Sequence, residues 1–423
     1  MILLRLALGA IFCWTLSAES PAELRIKAAR EAIAREPDRA EHHVSLAMAL
    51  AKRARETADP SFYDQAMEVV RKALSLQPKS FEARRAEVWV LLGKHEFAQA
   101  RDKAEKLNQE MPDDVLTYGL LTDAYVELGE YDKAEKAAQW MLDLRPGNLA
   151  GLTRGAYLRE LFGDVDGAID FMRMALNQTR MEETEDRAWI LTHIAHLYLL
   201  QGRAEEAEKL LKQALALFPG YHYALANLGK VHMQRRQYVQ AVEAFKQRYQ
   251  AAPHPENLFE LAVALQRAGQ VRAAQQAFAE FEQKAKAESK SWDNANRELI
   301  RYYLDYAKRP REALALAEFE AARRRDVHTL DLLAWALHLN GRHQEARKVM
   351  EEALKVGIKD ASMLYHAAAI AAALGDRSAA AKYAERSLAA NPHSEVAEKA
   401  RTLAARTTSG SRSVSRQASL ADH

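Results

Sequence analysis

The chain has 423 residues, 48% hydrophobic and 28% charged, with only 17 glycines and 11 prolines; this composition excludes a disordered chain and fits a folded, soluble, helix-rich one. Lysine and arginine number 60 against 58 aspartates and glutamates, so the overall charge leaves no footprint for nucleic acid, although local clusters can hide within it. A single core for this length would be unusually large, which leaves either two or three domains or internal repetition.

Residues 1–18 hold one basic residue, Arg5, an apolar run from Leu6 to Leu16, and small residues at Ser17 and Ala18. That pattern predicts a secretory signal cleaved near Ala18, and so a periplasmic or secreted protein with no integral membrane span after cleavage. An uncleaved membrane anchor is the alternative, though the run is shorter than the ~20 residues of a comfortable span. The only cysteine, Cys13, lies in this run, so the mature chain would hold no thiol, no disulfide and no cysteine metal ligand. The Ala-Ile-Phe before Cys13 lacks the small residue that a lipid-anchor signal needs just before its cysteine.

Residues 19–37 read as one lone helix that caps a stack of repeats. From 38 to 394 a single column recurs: Ala66, Ala100, Ala134, Ala168, Ala207, Ala241, Ala274, Ala313, Ala346 and Ala380, mostly 33 or 34 residues apart with two gaps of 39. Five residues before six of these alanines stands a glycine (Gly129, Gly163, Gly202, Gly269, Gly341, Gly375), and twelve residues after six of them a proline (Pro78, Pro112, Pro146, Pro219, Pro253, Pro392). Each unit is a helical hairpin: glycine permits the tight turn, alanine lets the second helix approach the first, and proline ends the second helix. Such periods call for repeats before domains.

The period, the alanine column, the aromatics Tyr125, Tyr131, Tyr198, Tyr238, Phe245 and Phe278 and the closing prolines resemble the tetratricopeptide repeat family, from about Ala22 to Arg406. The resemblance implies an all-α, right-handed superhelical solenoid of about ten hairpins. Departures are local. Lys308 and Pro310 replace the usual turn residues before Ala313, and the two long gaps fall over Asn177–Asp186 and Glu282–Asn294. Extra residues also lengthen the first repeat, around Arg53–Phe62. Residues 395–406 are expected to form a terminal capping helix, as solenoids require, and 407–423, rich in serine and arginine, a disordered tail.

Catalytic signatures are absent: there is no glycine-rich phosphate loop, no GxSxG, no HExxH and no CxxC, so no catalytic residue and no cofactor are assigned. His193 and His196 stand one helical turn apart, the sharpest metal-like pattern, but two imidazoles alone do not hold zinc and no metal is expected. His42 and His43 read as surface. Asn177-Gln178-Thr179 matches a glycosylation sequon, as one triplet in a chain this long does by chance. Runs such as Glu205–Gln213 are spaced for solvated second helices.

The resemblance further implies that first helices line a concave groove, at positions eleven, fifteen and eighteen residues before each alanine. Those and adjacent columns yield a candidate ligand site of Trp189, Thr192, His193, His196, Tyr223, Asn227, Lys230 and Phe259, with Trp335, His338, Tyr365 and His366 as a second. Aromatic rings supply contact area at low rotamer entropy, and Asn, His and Lys satisfy a peptide backbone. Some family members grip a C-terminal carboxylate there with basic residues; here Glu256 and Glu260 occupy the equivalent places, which argues against that ligand. The expectation is a non-enzymatic scaffold that binds extended protein or peptide segments, with a glycan as another ligand, no nucleic acid, and no oligomeric state set by the sequence. The alternatives are a structural component of a cell-envelope assembly for polymer export or pilus construction and, more distantly, an enzyme with a site scattered along the groove.

Overall fold

A computed structural model describes residues 19–406. Residues 1–18, with the expected signal and Cys13, and residues 407–423, with the expected tail, lie outside the described residues. Helix α1 (Pro21–Arg35) stands alone. It starts with a capping box, in which the Ser20 hydroxyl accepts from the Glu23 N–H and the Glu23 carboxylate accepts from the Ser20 N–H, so both orphan donors are satisfied.

Ten hairpins come after it. The first five are α2–α3 (Ala40–Thr57, Ser61–Leu76), α4–α5 (Phe81–Gly93, Phe97–Glu110), α6–α7 (Val115–Glu127, Tyr131–Leu144), α8–α9 (Leu149–Leu161, Val165–Gln178) and α10–α11 (Thr184–Leu200, Ala204–Leu217). The second five are α12–α13 (His222–Gln234, Tyr238–Ala251), α14–α15 (Pro255–Arg267, Val271–Glu288), α16–α17 (Asn296–Arg301, Pro310–Arg323), α18–α19 (Val327–Leu339, His343–Leu354) and α20–α21 (Ala361–Ala373, Arg377–Ala390). Residues 397–406 are helical and end the stack. The architecture is an all-α solenoid.

The alanine column is the hairpin seam. Nine of its members have no exposed surface and Ala274 has 2%, because any larger side chain would push the two helices apart. The six turn glycines have φ between 75 and 79°, a left-handed conformation that costs glycine nothing. At three of the four positions without glycine the same conformation persists, His95 and Arg236 with φ of 58° and Lys308 with 56°; in the first hairpin it falls on Ala58, at 53°. The hairpin geometry is thus set by the packing of its helices, and the turn residue conforms. Two residues before each column proline the second helix ends, and the intervening residue bonds its N–H back to the carbonyl four residues earlier, as Gln77 does to Ala73 at 2.9 Å.

The two long gaps are accommodated differently. Over Asn177–Asp186 the added residues extend α10, which has 17 residues where most first helices have 13; over Glu282–Asn294 they extend α15 to 18 residues. In the hairpin of Ala313, α16 continues into a π-helical turn at Tyr302–Tyr306. His42 pairs with Glu36, but His43, expected on the surface, is 7% exposed and donates Nε2–H to the Pro37 carbonyl at 2.8 Å.

The superhelix closes on itself. Lys52 of α2 pairs with Glu183 (3.1 Å) and Asp186 (2.9 Å), and Arg55 pairs with Glu185 and Asp186. His95 donates to the carbonyl of Trp292 at 3.1 Å, whose indole also packs edge-on against Tyr63. Arg324 pairs with Glu127, and the Tyr131 hydroxyl accepts from the Val327 N–H at 2.9 Å. The Asn391 side chain donates to the Leu199 carbonyl at 2.9 Å. Gly163 must be glycine for a second reason here, since a Cβ would lie 2.5 Å from the Gly357 carbonyl oxygen. Hairpins four to six units apart along the chain therefore touch.

Candidate functional site

The first helices α10, α12 and α14 carry the primary candidate residues. Their position is fixed from behind: Tyr221, fully buried at the start of α12, donates its hydroxyl to Glu185 at 2.7 Å, the same carboxylate that Arg55 holds. Tyr221 and Arg55 thus lock α10, α12 and α2 together.

Several candidates are consumed by the protein itself. Trp189 lies beneath the Arg55 guanidinium (5.9 Å) and against His193 (5.2 Å). His196 Nε2 lies 3.0 Å and His193 Nε2 3.4 Å from the two oxygens of buried Glu160 on α8. Burial opposes ionisation of Glu160, yet the two imidazoles hold its carboxyl well below the usual range. Among the described residues no group of three histidine, cysteine, aspartate or glutamate side chains is arranged to hold a metal. Thr192 is buried. The Tyr223 ring packs tilted against His222 with ring centres 4.0 Å apart, and the Asn227 side-chain amide donates to the Tyr223 carbonyl of its own helix at 3.0 Å. Phe259, expected in the groove, is 1% exposed and sits in a ring cluster with Phe278, Phe281 and Tyr306, so it supplies wall rather than a free stacking face.

The secondary candidates pack on one another. Trp335 is sandwiched between His338 (5.0 Å, 10°) and His366 (4.2 Å, 13°), with Tyr365 at 6.2 Å. His366 Nδ1 meets Asp331 at 2.8 Å. Burial opposes its charge, but Asp331 raises its pKa, whereas burial and the charges of His343 and His366 push His338 down to about 4.

Three primary candidates, His196, Lys230 and Phe259, do meet, at a cavity of about 320 Å³. Leu199, Leu200, Met233, Phe245 and Val263 line its apolar side; Gln234, Glu260 and Arg301 line its polar side; Asp360, Ala361, Asn391, Ser394 and Glu395 close it from the last hairpin and the segment beyond. Glu256 and Glu260 are not free acids, because buried Arg248 pairs with both. Burial opposes the charge of Glu260, but Lys230, Arg248 and Arg301 keep its pKa low.

Arg301 and the closing residues were not among the candidates. Counting eleven back from Ala313 gives Tyr302, but the π-helical turn inserts a residue between them, so Arg301 faces the cavity while Tyr302 stacks on Phe278 at 5.2 Å. The missing turn glycine and aromatic at Lys308 and Pro310 were the available signal. Nothing local marks Asn391, Ser394 or Glu395, which reach α10 only through closure of the superhelix.

Residues 150–220, 198–253 and 327–359 match three models of the tetratricopeptide repeat. No curated protein sequence matches the chain. Similar solved structures include the human IFIT1 dimer with m7Gppp-AAAA (17% identity over 79% of this chain and 86% of that one, TM-score 0.47). Others are PilW, described as a widely conserved type IV pilus biogenesis factor (18%, 49% and 93%, 0.42), and yeast Tom70 (15%, 86% and 96%, 0.38). Two further cavities gather Arg154, Arg297, Arg323 and Arg324, each paired with a carboxylate, Asp123, Asp326, Glu320 and Glu127 in turn; such local groupings are invisible in a balanced total charge, so that balance alone does not exclude nucleic acid. Among the described residues no helix is long and apolar enough to cross a membrane. Residues 150–253 and 327–359 match the tetratricopeptide repeat, and the stack of helical hairpins in which they lie is a solenoid of the tetratricopeptide type.

Proposed function

We propose that the protein is a non-enzymatic scaffold that holds an extended segment of a protein partner against the concave face of its fifth to seventh hairpins. The observation that carries this reading is the central cavity, where apolar side chains of α10, α12 and α14 stand beside Lys230, Gln234 and Arg301, the mixture of apolar wall and few polar groups that ligand sites use. A photo-crosslinking residue at Met233 should label a bound partner, and one at Val239, 68% exposed on α13, should not. Labelling from Val239 alone would refute the placement. Residues 1–18 are read, on sequence alone, as an export signal placing the scaffold outside the cytoplasm; a mature chain that retained Met1 in the cytosol would remove that part.

A second reading, a structural part of a larger assembly, has its own support. Met111, Leu116, Trp140 and Leu144 are exposed around α5–α7, with Trp140 packed at 6.0 Å against Tyr118. Loss of a stoichiometric complex on Trp140→Glu, with cavity labelling unaffected, would favour it.

A further inference from the structure

Two buried polar atoms at the central cavity lack a partner, and two solvent-exposed charges, Arg301 and Glu395, border it. Gln234 donates its side-chain N–H to the Leu199 carbonyl at 2.9 Å, which fixes the amide orientation and leaves Oε1, buried, with no donor. The Ser394 hydroxyl is buried and unpartnered as well. Arg301 lies 5.3 Å over the Phe259 ring, and Glu395, whose field acts on it, stands on the closing wall; among the described residues neither forms an ion pair. Buried polar atoms are nearly always bonded, so two orphans at one cavity need an explanation.

These four groups specify a complement. Gln234 Oε1 and Glu395 require donors, Arg301 requires an acceptor, and Ser394 takes either. A peptide group presents one N–H and one C=O, without net charge. Next to them Leu199, Leu200, Met233 and Val263 form an apolar wall. The volume of about 320 Å³ lies at the low end of ligand pockets, about 300–1,000 Å³. A helix about 10 Å across would not enter; one apolar side chain with its flanking peptide groups would.

We infer that the cavity is an anchor pocket for a single large apolar side chain, of leucine, methionine or phenylalanine type, in an extended segment of a partner protein. Its backbone N–H bonds Gln234 Oε1 and its carbonyl bonds Arg301 and Ser394. The apolar wall disfavours a charged residue at the anchor, which would lose its hydration there. This rests on the reading of the concave face as a peptide site and narrows it to one residue of the ligand.

The test uses a displayed library of random, unstructured peptides selected on the full chain. Selected peptides should share one large apolar residue, and replacing it by alanine should cost at least tenfold in affinity. Val263→Trp, which fills the cavity, should abolish binding. Ser394→Ala removes a hydroxyl that has no partner in the free protein, so melting should be unchanged while affinity falls about three- to tenfold. Peptides that bind Val263→Trp as tightly as the parent, or that share a charged anchor, would overturn the inference and leave a peptide site elsewhere on the concave face. Selection of no peptide at all would overturn both.

Discussion

His222 donates its Nε2–H to the backbone carbonyl of Arg55 at 3.0 Å, across 167 residues of sequence. The imidazole is 3% exposed and its Nδ1 has no partner, so the ring is held neutral, and burial pushes its pKa down to about 4. His95, which makes the corresponding bond to Trp292, is likewise pushed down to about 4, by burial and the charge of Arg324. Two contacts between distant hairpins are therefore made by imidazoles that burial keeps neutral.

Those depressed values set the sign of the pH dependence. An unfolded histidine takes up its proton near pH 6.5, whereas folded His222 does so only near 4. Between those values the unfolded chain binds more protons, so stability is full above about 6.5 and is lost as pH falls towards 4. His254 and His366, whose pKa values are raised by Asp293 and Asp331 against burial, act oppositely: their contribution is present below about 6.5 and is lost as pH rises through the raised values. For His222 the loss amounts to about 3 kcal/mol. Urea unfolding of the parent and of His222→Gln at pH 7.5 and 4.5 should give a smaller acid loss in the variant. Equal losses would show that His222 does not titrate with folding.

The turn column separates backbone strain from side-chain bonding. Arg236 is exposed in the left-handed region (φ 58°), where a non-glycine residue costs roughly 1–2 kcal/mol. Arg236→Gly should stabilise the fold by up to about 1 kcal/mol after the entropy glycine returns to the unfolded chain, read as a higher melting temperature. His95 has the same φ, but His95→Gly also removes the bond to Trp292 and should lower it. Equal shifts in the two variants would contradict the assigned role of His95.

Ala207 and Ala346 are fully buried between the helices of their hairpins. Replacing either by leucine should overpack the seam and cost about 1–3 kcal/mol, read as a fall in the thermal midpoint. Parent-like melting of both variants would mean that the hairpins are not in this register.

The hairpins were legible because everything that makes one lies within about 34 residues: the alanine seam, the left-handed turn residue and the proline stop recur along the chain. His196, Lys230 and Phe259 were legible for the same reason, as positions counted back from an alanine. Two things escaped. The π-helical turn after α16 shifts the count by one and hides Arg301 behind Tyr302. Closure of the superhelix brings Asn391 to Leu199 across 192 residues, and no local pattern encodes a contact at that range. Closure also explains why Trp189 packs under Arg55 and why Glu185, buried and bonded to Tyr221, is tolerated at the start of α10.

The central claim is that hairpins four to six units apart along the chain touch, so that residues beyond the last hairpin border the central cavity. Zero-length carbodiimide coupling tests it directly, because Lys52 Nζ lies 2.9 Å from Asp186 and 3.1 Å from Glu183. Coupling the purified full chain at low concentration, with peptide mass spectrometry of the products, should yield intramolecular amides joining Lys52 to Glu183 or Asp186, and the yield should fall as added salt screens the pairs. Coupling of Lys52 only to acids of its own or adjoining hairpins would mean an open superhelix, and the cavity closed by Asn391, Ser394 and Glu395 would not exist.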